Sequence, residues 1–236
     1  MSGGPECGRA ISVIIPCYNG EAFVADAISS VLAQELAPHE IIVIDDGSSD
    51  GSAAQVARFG EPVRLLPGPH RGIAAARNRG LAAAGGELIA WLDADDLWVP
   101  EALRVLAEAL TADRLLAGVY GMVEQFSTEC VAVRRQVPSE RTAARRAGTM
   151  LLRRSACALV GGFDESLTLG EMIDWISRAE GEGLRLAPVE RLVLRRRIHD
   201  GNTTILRRTA QADYLRLLHS GLKRKARRGE AVNAPA

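Results

Sequence analysis

Residues Gly72–Trp98, GIAAARNRGLAAAGGELIAWLDADDLW, set the architecture of the whole chain. Alanine-rich sequence from Gly72 to about Ala84 predicts a helix. Gly85-Gly86 breaks it, and the apolar run Glu87 to Leu92 predicts a short buried strand. An acidic knot follows directly, Asp93-Ala94-Asp95-Asp96. If the extended conformation continues, Asp93 and Asp95 project from one face. Both then lie just beyond the strand's carboxyl end, where open α/β sheets bind ligands. Two carboxylates converging there repel each other unless a cation lies between them. Oxygen donors suit a hard divalent ion such as Mg²⁺ or Mn²⁺, and few protein ligands leave room for substrate phosphates. Arg77 and Arg79 lie just upstream and could meet the same anionic group. An alternative use for the aspartates is to cap the helix begun by Pro100 and Glu101, although one aspartate would serve for that.

Upstream of this stretch the same alternation recurs. Ile11 to Pro16 (ISVIIP) is the continuous β-branched run of a strand buried on both faces. Cys17-Tyr18-Asn19-Gly20 breaks it, and Glu21 to Gln34 has helical spacing. A second buried strand, Glu40 to Ile44, ends in DDGSSDG, and a helix over 52–59 and a strand over 63–66 follow. The resulting β-α-β-α-β-α-β order predicts a mostly parallel sheet with helices on both faces. Asp46 directly follows a strand, at the same sheet edge as Asp93. Its carboxylate could accept the imide N–H of a uracil or the hydroxyls of a ribose, or it could belong to an Asp-Gly turn before a helix cap at Ser49 or Asp50. Tyr18 could stack on a base or serve packing. Three strand ends, at 16–19, 45–46 and 93–95, thus offer polar groups to one crevice. Neither GxGxxG nor GxxxxGK[ST] is present, so a glycine-loop phosphate cradle is disfavoured. The glycine-rich loop of sugar nucleotidyltransferases is also missing after the first strand.

Composition narrows the partners. The chain's 29 basic and 29 acidic residues cancel, and nothing global points to nucleic acid. Aromatic residues are 4% of the total, too few for a base-stacking platform along a single strand. Cys7, Cys17, Cys130 and Cys157 form no CxxC pair and read as free thiols of a reducing compartment. The N-terminus has no apolar signal core, and no apolar run approaches the roughly 20 residues that span a bilayer. A cytoplasmic protein is the simplest expectation.

In the second half, a helix is expected over 101–110, strands over 117–123 and 130–137, and a polar loop over 138–147. A short strand (149–152) and a helix from Arg153 to the Gly161-Gly162 break come next. A last strand, Leu192 to Ile198, carries Arg195, Arg196 and Arg197. Arg195 and Arg197 share one face; they could neutralise a diphosphate or be solvated edge residues. Residues 203–228 have helical apolar spacing and end in KRKARR. That helix could pack on the domain, join two subunits, or touch anionic lipid peripherally. Residues 229–236 read as a disordered tail.

The segments ISVIIPCYNG, IIVIDDGSSDGS, GIAAARNRGLAAAGGELIAWLDADDLW and VGGFDESL resemble the family 2 glycosyltransferases of the GT-A fold, over roughly residues 10–200. The resemblance implies a GT-A-type α/β domain, a nucleotide-binding half (10–98), an acceptor and catalytic half (99–200), and a small antiparallel extension. It implies an inverting enzyme with a nucleoside-diphosphate sugar donor, UDP above others, and an acceptor that could be a lipid, saccharide, metabolite or peptide. Asp93 and Asp95 take the metal-binding DxD role, with Mn²⁺ or Mg²⁺ as cofactor. Asp46 takes the nucleobase role, Pro16 and Tyr18 line the base pocket, and Arg77 faces the nucleotide or diphosphate. Family members often place a histidine near position 199 that approaches the metal, so His199 is a candidate ligand. Many carry Glu-Asp at the start of a late helix, with the aspartate as catalytic base. Here the pair is Glu171-Met172. Methionine takes no proton, which leaves Glu171 or Asp174, one turn along, as the base. The same departure keeps open a non-catalytic sugar-nucleotide binder.

Overall fold

A computed structural model describes residues 10–127 and 141–199. Among them, nine strands form one sheet in the order β3-β2-β1-β4-β8-β6-β9-β5, with β7 beside β6. The first half supplies β1 (Ile11–Cys17), α1 (Val24–Leu32), β2 (Glu40–Asp45), α2 (Ser52–Val56), β3 (Val63–Pro67), α3 (Ile73–Ala83) and β4 (Leu88–Trp91). β1 pairs in parallel with β2 and β4, and β2 with β3. The chain runs outward from β1 to β3 and then returns to β1's other side as β4. The crevice at the carboxyl ends of β1 and β4 is therefore the switch point at which such sheets bind ligands.

The second half supplies β5 (Leu97–Trp98), α4 (Ala102–Ala112), β6 (Leu116–Ser127), β7 (Thr142–Ala143), β8 (Met150–Arg153), α5 (Arg154–Val160), α6 (Glu171–Gly181) and β9 (Arg185–Ile198). β8 is antiparallel to both β4 and β6, the small antiparallel extension expected. β6 and β9 run parallel, and β5 closes the edge antiparallel to β9.

β1 and β2 are continuous apolar runs because both faces of the sheet are covered. Val13, Ile15, Ile41 and Val43 face α1 and α4. Ile14, Ile42 and Ile44 face α3, with Phe163 and Trp175 in the same core. Each such side chain contributes about 1.5–3 kcal/mol on full burial. α3 lies close against the sheet at Gly80 because its inner residues are small. A Cβ on Gly80 would stand 2.2 Å from Ile14 Cγ2. The Gly85-Gly86 break is fixed from below: Gly85 N–H donates to Glu40 Oε1 (2.7 Å) and Gly86 N–H to Ser12 Oγ (2.8 Å).

Three expectations change. The acidic knot is not extended. β4 ends at Trp91, and Asp96 N–H donates to Asp93 C=O at 3.0 Å, so residues 93–96 form a tight turn. The last strand starts at Arg185, seven residues before the expected start at Leu192, and runs through Pro188 beside β6. The expected loop contains β7, paired to β6. Trp98, beyond the acidic turn, lies in an edge strand and donates from Nε1 to Gly148 C=O at 2.6 Å. The strand expected over 130–137, the helix over 203–228 and the tail lie outside the described residues. Among the described residues no helix is long and apolar enough to cross a membrane.

Candidate active site

Three loops at the carboxyl rim meet around Asp46. Its backbone N–H donates to Cys17 C=O (2.8 Å), tying the end of β2 to the end of β1. Its carboxylate accepts from Arg71 N–H (2.9 Å, Oδ1) and Gly72 N–H (2.8 Å, Oδ2), the residues leading into α3. His70 Nδ1 lies 2.9 Å from Oδ2. Asp46 is thus buried and heavily engaged, a carboxylate that shapes the loop before α3. Gly47 (φ +78°) completes the turn, and a Cβ there would stand 2.6 Å from His70 N. Tyr18, half exposed at 51%, stacks on His70 with ring centroids 4.0 Å apart and planes inclined by 21°. An exposed aromatic pair therefore lies beside Asp46 at the rim. Pro16 lies inside β1, buried in register with Ile44. His70 was missed from sequence; its signal was a lone histidine two residues before an α3 N-terminal glycine.

The acidic turn divides its side chains between two partners. Asp93 Oδ1 accepts from Arg77 Nη2 at 2.7 Å, and Arg77 Nη1 pairs with Glu171 Oε1. Arg77 is buried at 4% exposure on the inner face of α3. Burial pulls its pKa down, but Asp93 and then Glu171 outweigh that and hold it above the ordinary arginine value. Arg77 Nε is buried with no hydrogen-bond partner among the described residues. Arg79 does not reach this group: it donates to the carbonyls of Leu66 and Pro67 at the end of β3.

Asp95 turns the other way. Its Oδ2 faces His199 Nε2 at 3.0 Å, just past the end of β9. Asp96 is buried and accepts Arg197 N–H at 2.9 Å. Burial, then the neighbouring Asp95 and Asp93, push its carboxyl well above the usual range, against the Arg197 N–H. α4 has Glu101 at its N-cap with no side-chain cap bond, so the aspartates do not serve as its cap. Arg197, expected as a diphosphate or edge residue, is instead 6% exposed and bound to protein. Arg195 pairs with Glu124 at 3.0 Å.

Both candidate bases open α6. Glu171 and Asp174 are buried in its first turn. Glu171 joins Arg77, and through it Asp93. Asp174 Oδ2 instead accepts from Arg178 Nε at 2.8 Å, and Arg178 also donates to the carbonyls of Val160 and Gly162. Met172 packs in the core beside Trp175, whose Nε1 donates to Gly161 C=O at 3.0 Å.

Carboxylate and imidazole donors at Asp95 and His199, with side chains 29% and 17% exposed, fit a divalent cation of the Mn²⁺ or Mg²⁺ type. No group of three or more such ligands gathers among the described residues. Phosphate oxygens and water would complete the shell, as is usual for Mg²⁺.

A switch-point crevice rimmed by an acidic turn, on a parallel sheet extended by antiparallel strands, defines the GT-A class of α/β proteins. The profile of Glycosyl transferase family 2 matches residues 12–160, and the chain belongs to that family. Among curated relatives, the Escherichia coli UDP-Glc:alpha-D-GlcNAc-diphosphoundecaprenol beta-1,3-glucosyltransferase WfgD is 34% identical over 134 residues, covering 56% of this chain and 53% of its own. The Rhizobium meliloti succinoglycan biosynthesis protein ExoO is 40% identical over 104 residues, 43% of this chain and 30% of its own. The chain thus spans about half or less of these relatives. The crystal structure of S. aureus TarS 1-349 with UDP-GlcNAc superposes with a TM-score of 0.68 at 19% identity, covering 82% of this chain and 60% of that one. The same TarS fragment with UDP gives 0.66. At that identity the likeness establishes the fold.

Proposed function

We propose that the chain transfers a sugar from a UDP-sugar donor to an acceptor hydroxyl, with inversion at the anomeric carbon. The observation that carries this reading is the chain of contacts Glu171–Arg77–Asp93, which links a carboxylate on α6 to the acidic turn. UDP is favoured because WfgD is named for a UDP-glucose donor and TarS was crystallised with UDP and UDP-GlcNAc. In this reading the Tyr18–His70 pair meets the base beside Asp46, and Asp95 and His199 would hold the cation, with Asp93 in the same turn. When bound there, the cation would supply positive charge to the leaving diphosphate.

Glu171 serves as the base, favoured over Asp174 because its partner Arg77 connects it to the acidic turn, whereas Asp174 pairs with Arg178 four residues on in its own helix. It accepts the proton of the acceptor hydroxyl. The acceptor oxygen then bonds to the anomeric carbon while the carbon–oxygen bond to the diphosphate breaks on the opposite face, its electron pair leaving with the phosphate. Arg77 keeps a fixed positive charge between base and rim, where preorganised charge lowers a barrier most. The free, buried thiols of Cys17 and Cys157 suit a reducing compartment, which we take to be the cytoplasm.

A second reading, a sugar-nucleotide binder without transfer, draws support from Met172, an apolar side chain where the family resemblance implies an acid. One experiment separates the two. The protein is incubated with Mn²⁺ and a panel of UDP-sugars, and UDP release is followed with and without candidate lipid-linked, saccharide and small-molecule acceptors. Acceptor-dependent release that is lost in Asp95→Asn supports transfer. Nucleotide binding without release supports the binder, and neither binding nor release ends both.

A further inference from the structure

Behind the acidic turn lies a residue, Arg197, that bonds to two of its four residues. Arg197 comes from β9, more than a hundred residues later. Its backbone N–H donates to Asp96 Oδ1 at 2.9 Å, its Nε to Asp95 C=O at 3.1 Å, and its Nη2 to Asp26 Oδ2 of α1 at 2.9 Å. The guanidinium lies 4.9 Å from the centroid of Phe23 and 5.1 Å from that of Phe126. Phe23, at the N-cap of α1, also packs on the His199 ring at 4.5 Å. The Arg197 side chain is 8% exposed. Arginine suits this place because its planar fork can donate in several directions while its faces stack on aromatic rings.

We infer that Arg197 is the positioning residue of the cation site: it locks the Asp93–Asp96 turn to β9 and so fixes Asp95 opposite His199. Asp95 stands on the turn that leads into β5, whose Leu97 pairs with Arg195 of β9, and His199 lies one residue past Ile198, the last paired residue of β9. The β5–β9 pairing brings the two elements side by side, and Asp95 and His199, both beyond its paired residues, meet at 3.0 Å when those ends are held as well. Arg197 ties them, by backbone to Asp96 and by side chain to Asp95, and Asp26 and the two phenylalanines hold Arg197 from outside. Small errors in such placement weaken a site strongly.

This inference rests on the proposed cation site, and the test separates the two. Arg197→Ala, Arg197→Lys, Asp26→Asn and Asp95→Asn are compared by amide hydrogen exchange of the peptide containing Asp93–Asp96 and by Mn²⁺ titration with UDP present, read by electron paramagnetic resonance. Positioning predicts faster exchange in that peptide alone, with β1 still protected, and Mn²⁺ affinity at least tenfold weaker in Arg197→Ala. Arg197→Lys, which keeps the charge but not the fork, falls between it and the wild type, as does Asp26→Asn. A folded Arg197→Ala with wild-type exchange at the turn overturns the inference. If that variant does not fold, the same result in Arg197→Lys overturns it. Local loosening in the Arg197 variants with no Mn²⁺ effect in Asp95→Asn supports the positioning and removes the cation reading instead.

Discussion

Arg77 and Glu171 lie 94 residues apart in sequence and meet as a buried ion pair whose arginine also holds Asp93 at 2.7 Å. One guanidinium thus neutralises a carboxylate from each half of the chain. Removing it leaves Asp93 and Glu171 facing each other without a counter-charge. Breaking a buried pair from one side costs about 3–5 kcal/mol. Arg77→Met is therefore expected to lower unfolding free energy by roughly that amount, measured by urea denaturation. Arg77→Lys keeps the charge, loses one of the two contacts, and is expected to be less destabilised while still losing transfer.

Glu171 and Asp174 make opposite predictions. With Glu171 as base, Glu171→Gln lowers kcat by about 10²–10⁴-fold and leaves UDP affinity within about twofold, since glutamine still accepts a hydrogen bond from Arg77. Asp174→Asn weakens the Arg178 clamp on Val160 and Gly162, so its loss appears in the melting temperature and not in kcat. A stable Asp174→Asn without turnover, beside an active Glu171→Gln, would exchange the two assignments.

The Tyr18–His70 stack predicts a binding effect separable from the cation. Base–aromatic stacking is worth about 1–3 kcal/mol, so Tyr18→Ala is expected to weaken UDP binding by roughly 5- to 150-fold in calorimetry. Mn²⁺ binding in the absence of nucleotide is expected to stay unchanged, because Asp95 and His199 touch neither ring. His70→Ala also removes one of the two partners of Asp46 Oδ2, leaving Gly72 N–H, and is expected to loosen the loop before α3.

Gly80 offers a test of packing alone. A methyl group there would run into Ile14 at the centre of the sheet. Overpacking a filled core costs about 1–3 kcal/mol, which outweighs the roughly 1 kcal/mol that alanine gains over glycine within a helix. Gly80→Ala is expected to be less stable by thermal denaturation. A gain in stability would mean that α3 can move off the sheet freely.

These contacts also mark what the sequence makes legible. The order of β1 to β4 and the helices between them followed from β-branched runs and glycine breaks, because those signals are local. The rim residues were found because each directly follows a buried strand. The turn at 93–96 was misread as extended, since its closing bond joins two backbone groups and leaves no trace in side-chain pattern. Arg197 was misread for a different reason. An arginine run looks solvated until its partners are known, and Asp26, Phe23 and Phe126 come from α1 and β6. β9 was cut short because Pro188 and the charged residues around it resemble a loop, whereas its pairing with β6 is non-local.

Glu40 links stability to pH. Ser12 Oγ–H donates to its Oε1 at 2.6 Å, Gly85 N–H to the same oxygen at 2.7 Å, and Arg64 Nη2 to Oε2 at 3.2 Å. Burial pushes this carboxyl up, but the Ser12 and Gly85 hydrogen bonds and the Arg64 charge outweigh it and hold the pKa below the ordinary glutamate value. A depressed pKa stabilises the fold when the group is ionised in both states. That contribution is fully present above the unfolded value of about 4.3 and is lost as pH falls through the lower folded value. Glu40→Gln is expected to be about 1 kcal/mol less stable at pH 7. The gap between the two proteins should narrow as pH falls below about 4. Urea titrations at several pH values check both parts. A gap that stays constant down to pH 3 would mean that shape, and not the ionised carboxylate, joins β1, β2 and the Gly85-Gly86 break.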